Sequence, residues 1–171
     1  IGTMLATGGS AIIARKMGAG KQTRASQDFT LITSIGVLLG VLITVFGTVF
    51  IDKIILGLGA SSILFPYCKK YLFTLLLFTP ASILQVIFQN LIVTAGRPEI
   101  GMLIGGSAGI TNILLDYIFM VPLQMGIKGA AFGTGISYII PTVIGILFFS
   151  TNKISLYFKK PIIDISVLVE S

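Results

Sequence analysis

Asn112 and Asp116 stand four residues apart in TNILLDYIFM (residues 111–120), a stretch otherwise made almost entirely of apolar side chains. Residues at i and i+4 share one face of a helix, so the amide and the carboxylate point the same way. A charge in hydrocarbon costs at least about 2.5–3.5 kcal/mol on insertion scales, and such residues usually face a cavity, a pathway or a partner. Burial favours the protonated form of a carboxyl and a nearby cation favours the ionised form, so a carboxylate placed here can exchange a proton for a metal cation. The competing reading is structural: Asp116 reaches for the outer interface, pairs with an amide, or meets Lys128 twelve positions on.

Two further polar stripes fall in apolar runs. Ser82, Gln85 and Gln89 follow i, i+3, i+7 spacing, with Pro80 just before them, and Thr134 and Tyr138 are again four apart. Gln85, Gln89 and Tyr138 are therefore candidates to line a cavity, and Pro80 and Pro141 are candidate kinks, because proline removes a backbone donor and crowds the preceding turn. Gly101, Gly105 and Gly109, and on another run Gly129, Gly133, Ser137, Pro141 and Gly145, make small-residue strips where helix backbones approach closely. Taken alone, such strips, a membrane-helix proline, or Ser, Thr and Gln bonded to a neighbour need be no more than packing.

The elements that must position these groups follow from composition. Of 171 residues, 54% are hydrophobic and 11% charged, where a soluble domain carries about a quarter charged residues; the mean hydropathy is +1.01. Residues 29–51, 71–95, 100–115 and 129–152 contain no charge. Runs of about 20 apolar residues cross a bilayer as helices, and four complete spans are expected. Residues 1–14 are apolar but short, and read as the end of a span that begins before residue 1. They are no secretory leader, since their basic cluster follows the apolar part. The tail from 151 to 171 reads as a basic amphipathic linker.

The basic residues Arg15, Lys16, Lys21, Arg24, Arg97, Lys153, Lys159 and Lys160 fall on one side of the expected spans, against Lys53, Lys69, Lys70 and Lys128 on the other. The positive-inside rule puts the first set in the cytoplasm. It also explains a net charge of +6 without nucleic acid, since lipid headgroups account for bases at helix ends. One cysteine, Cys68, and no histidine exclude an internal disulfide and leave no ligands for zinc. A membrane-embedded enzyme would need an acid/base pair or nucleophile that these spans lack.

Several stretches resemble the multidrug and toxic compound extrusion (MATE) family of cation-coupled transporters. ATGGSAIIARKMGAGK (6–21) is similar to the end of the family's second helix and its cytoplasmic turn, TAGRPEIGM (94–102) to the loop after its fourth helix, and NILLDYIFMVPLQMGIKGAAFGTGIS (112–137) to its fifth helix, short outer loop and sixth helix. The resemblance implies an all-α, polytopic bundle: residues 1–150 as a partial six-helix N-terminal lobe of a twelve-helix transporter, with the end of helix 2 at 1–14, helix 3 at 28–51, helix 4 at 71–95, helix 5 at 99–121 and helix 6 at 129–150. The linker at 151–171 would lead to a second lobe of the same chain.

It also implies that Asp116 and Asn112 match a fifth-helix pair at a cation or proton site, with Na⁺ or H⁺ as coupling ion and no other cofactor, and that Thr134 matches a sixth-helix hydroxyl beside it. Gln85 or Gln89 would stand for a fourth-helix polar residue. The family's proline after the aspartate is replaced by Tyr117. The activity implied is export of lipophilic organic cations in exchange for Na⁺ or H⁺ across a bacterial plasma membrane. A flippase for a lipid-linked precursor shares this architecture but calls for a cationic cavity, and a membrane subunit without transport activity is the remaining alternative.

Overall fold

A bilayer offers no water to unpaired backbone groups, so a chain of this composition must satisfy its peptide bonds within helices. The computed structural model describes residues 2–150 and 156, and among them the regular structure is entirely α-helical: α1 (Gly2–Gly18), α2 (Gln22–Val49), α3 (Ile51–Gly57), α4 (Phe65–Leu77), α5 (Thr79–Thr94), α6 (Pro98–Met120) and α7 (Ile127–Ser150). The linker expected at 151–171 lies, apart from Leu156, outside the described residues. Helices α2, α6 and α7 are each long and apolar enough to cross a membrane, and α4 with α5 forms a fourth, bent span.

That fourth span departs from the continuous helix expected over 71–95. It starts earlier, at Phe65, and breaks at Phe78, where α4 and α5 meet at 49°. Pro80 sits in the first turn of α5, where a missing N–H is tolerated. The carbonyl four residues before Pro80 belongs to Leu76, and the Thr44 hydroxyl of α2 lies 2.7 Å from it. A side chain from the neighbouring helix thus supplies a donor where proline removes one. The bend docks on glycines from both sides. A Cβ on Gly40 would lie 2.6 Å from Pro80 Cα, and one on Gly135 would lie 2.1 Å from the Phe78 ring. Pro141, by contrast, lies inside the unbroken α7, and the adjacent Thr142 hydroxyl lies 3.0 Å from the Ala81 carbonyl of α5.

Helix α5 occupies the middle of the bundle, packed against α1, α2, α6 and α7. Its buried residues Ile87, Phe88, Leu91 and Ile92 meet Ile13 of α1, Phe29 and Ile32 of α2 and Phe149 of α7 in the main core. The rings of Phe29 and Phe149 are 4.6 Å apart, and Phe88 completes the cluster 5.9 Å from Phe149. Gly145 makes room for Phe88. This aromatic core lies toward the end of the bundle that carries Lys16 and Arg24, which leaves the polar stripes to the middle and the opposite part. Leu103, Ile113 and Leu147 are more than half exposed, as suits side chains that face lipid tails.

Candidate functional site

Helix α6 begins after a turn in which Gly96 adopts φ +81° and Pro98 opens the first helical turn. From there it runs alongside α7, and the seam between them is set by α7 glycines. A Cβ on Gly129 would lie 2.8 Å from Phe119 Cβ. A Cβ on Gly133 would lie 2.2 Å from Asp116 Oδ1 and 3.0 Å from the Asp116 nitrogen. Only a residue without a side chain leaves space for the aspartate, so the spacing Gly129, Gly133 on one helix and Phe119, Asp116 on the other amounts to a fitted joint.

Within that joint Asp116 is half-buried, and its Oδ1 is buried without a hydrogen-bond partner. Among the described residues it forms no ion pair with Lys128, the alternative left open by sequence. One turn along α6, Asn112 Nδ2 donates to Thr134 Oγ1 at 3.2 Å. Because Thr134 follows Gly133, the three residues singled out from sequence meet on one seam. The Asn112 amide oxygen, the Thr134 hydroxyl and the Asp116 carboxylate are hard oxygen donors of the kind that suit an alkali or alkaline-earth cation or a proton, and not a soft metal.

Beside this seam lies a cavity of about 220 Å³, walled by Gln85 from α5, Gly105, Ala108 and Asn112 from α6, and Thr134 and Tyr138 from α7. Gln85 Oε1 is a second buried oxygen without a partner. Gln85 and Tyr138 also border a neighbouring cavity of about 320 Å³ that reaches Thr3 and Ser82. Gln89 takes a different place: its amide packs on Gly105 in the α5–α6 seam, where a Cβ would lie 2.5 Å from Nε2. Pro80 and Pro141 stand away from these walls, on the helices that carry Gln85 and Tyr138.

A buried acid that sequence reading passed over lies elsewhere. Asp28 is 4% exposed and pairs with Lys16 across the α1–α2 turn. Its signal was a lone carboxylate at the edge of a charge-free run, twelve residues after a lysine.

A family model described as MatE matches residues 1–118. The chain belongs to the MatE family. Among curated MatE relatives, the multidrug export protein MepA of Staphylococcus haemolyticus is 33% identical over 92% of this chain, and MepA of Staphylococcus saprophyticus is 28% identical over 98% of it. The chain spans 35% and 38% of those two relatives, a little over a third of their length. Solved MatE folds agree. An inward-facing multidrug resistance MATE transporter superposes with a TM-score of 0.93 at 22% identity, covering 99% of this chain and 39% of that one. An outward-facing one gives 0.91 at 23% identity, covering 99% and 38%. MatE proteins are integral membrane transporters and not enzymes, in keeping with the apolar spans of α2, α6, α7 and the α4–α5 pair.

Proposed function

We propose that the chain is part of the N-terminal lobe of a multidrug efflux antiporter that exports lipophilic organic cations in exchange for Na⁺ or H⁺. The observation that carries this reading is the partnerless, buried Oδ1 of Asp116 in the α6–α7 seam. A carboxylate held there ionised without a counterion is costly, and either a proton or a cation relieves that cost. Asn112 and Thr134 supply neutral oxygens beside it, so a Na⁺ ion would meet three protein oxygens and complete its shell with water from the adjoining cavity. Binding of either ion biases the lobe toward the conformation that accommodates it, and the cationic substrate competes for the same negative charge. Alternating access then needs this lobe to move against a second one.

Gln85 and Tyr138 serve in this reading as polar contacts on the wall shared by the two cavities, and Gln89 as a packing residue that holds α6 to α5. The names of the MepA relatives support export of several drugs, and their organisms support a bacterial plasma membrane. A flippase for lipid-linked precursors would call for Lys or Arg to meet a phosphate-bearing headgroup, and the walls around Asn112 and Gln85 carry neither.

The test is efflux of a fluorescent cationic dye from cells expressing the full-length gene product, under imposed Na⁺ and proton gradients. Asp116→Asn, which keeps shape and removes charge, is expected to abolish gradient-driven efflux at unchanged protein level. Wild-type efflux in that variant would reduce Asp116 to a structural residue and remove the antiport reading.

A further inference from the structure

Lysines on the outer side of a membrane protein run against the positive-inside bias, so those retained there call for a role. The structure accounts for two of the four. Lys69 Nζ lies 2.7 Å from Asp52 Oδ1, and the Lys53 ammonium lies 5.6 Å from the centroid of the Phe50 ring. Lys70 and Lys128 have no carboxylate partner among the described residues. They come from different elements, α4 and the first turn of α7, yet they border one cavity of about 400 Å³ together with Tyr67 and Gln124.

The turn that closes this cavity is held in an uncommon conformation. Gln124 adopts φ +49°, a left-handed value that costs a non-glycine residue free energy, and Gly126 adopts φ +57°. Backbone bonds from Leu123 N to Ile118 O at 3.3 Å and from Met125 N to Phe119 O at 2.9 Å fasten the turn to the end of α6. The cavity is therefore largely formed in advance. Two ammonium groups, a phenol and a carboxamide around it select an anion that accepts hydrogen bonds. Apolar side chains in the cavity wall itself decide the kind of anion: Met125 and Ile127 line it and are 39% and 45% exposed. A free anion has no use for them, whereas the acyl chains of a lipid do.

We propose that Lys70, Lys128, Tyr67 and Gln124 form a binding site for the phosphodiester headgroup of an anionic phospholipid in the outer leaflet. The site shares no residue with the seam that holds Asp116, and it ties the α6–α7 turn to the start of α4. A lipid held there joins the helix that carries Asp116 to the outer arm of the bent span.

Native mass spectrometry of the full-length protein in detergent, titrated with phosphatidylglycerol or phosphatidylcholine, tests this. Each lysine near a membrane surface strengthens attraction to an anionic lipid about fivefold. Lys70→Gln with Lys128→Gln should therefore retain phosphatidylglycerol about 25-fold more weakly. Lys70→Arg with Lys128→Arg should keep it, and so should Lys53→Gln, whose ammonium is outside the cavity. Equal retention of phosphatidylglycerol by the wild type and the double glutamine variant would overturn the site. Retention of phosphatidylcholine equal to that of phosphatidylglycerol would overturn its charge selectivity, and displacement by millimolar inorganic phosphate would overturn its assignment to lipid.

Discussion

Gly133→Ala places a single methyl group where the structure has almost no room for one. Its carbon would sit 2.2 Å from Asp116 Oδ1, 3.3 Å from Cγ and 3.0 Å from the backbone nitrogen of the same residue. Ordinary non-bonded separations are about 3.5 Å, so the carboxylate oxygen must move by about 1 Å. Rotating the side chain relieves the first contact and leaves the third, which requires α6 and α7 to part by a few tenths of an ångström. Overpacking of this kind costs about 1–3 kcal/mol. The same displacement shifts Oδ1 within the seam where Gly133 seats it, and a 1 Å misplacement of a working group can cost about 100-fold in function.

The assay is dye efflux into everted vesicles over a range of Na⁺ concentration and pH. Gly133→Ala should raise the ion concentration for half-maximal efflux by at least about tenfold. Gly106→Ala, on the same helix as Asp116 but with open space around its Cβ position and outside the cavity walls, should leave efflux unchanged. Wild-type ion dependence and wild-type thermal stability in Gly133→Ala would refute the argument that this glycine seats the carboxylate.

The other expectations concern stability, read as thermal unfolding in detergent. Gly40→Ala drives a methyl group against the Pro80 backbone and should destabilise by about 1–3 kcal/mol, while Gly106→Ala, with nothing nearby, should be neutral. Asp28→Ala strands Lys16 in the α1–α2 joint and should cost about 3 kcal/mol, near the lower end for a broken buried pair because the Lys16 side chain is 21% exposed. Asp52→Ala should cost less than about 1 kcal/mol, since Asp52 and Lys69 are both about half exposed.

Long apolar helices cover the charge-free runs, because in lipid the cost of a charge outweighs local propensity. The same runs concealed the break at Phe78. Pro80 and Pro141 look alike in sequence, yet one stands at a 49° bend and the other inside an unbroken helix. The difference lies in their neighbours: Gly40, Gly135 and the Thr44 hydroxyl receive the bend, and none of these is adjacent to Pro80 in the chain. Helical spacing brought Asn112 and Asp116 to one face, and Thr134 met them through the α6–α7 seam. Spacing assigned Gln89 to the same stripe as Gln85, but the close approach of Gly105 turned it into a packing residue. The Lys16–Asp28 pair escaped notice because each residue, read alone, resembles an ordinary charge at a membrane interface.

The central claim is that Asp116 carries the ion that exchanges with substrate. The most direct measurement is ion release by the purified full-length protein: proton release followed with a pH indicator, or release of radioactive sodium, on addition of a cationic dye. The account predicts that the wild type releases one of these ions when dye binds and that Asp116→Asn releases neither. Equal release by the two proteins would contradict it.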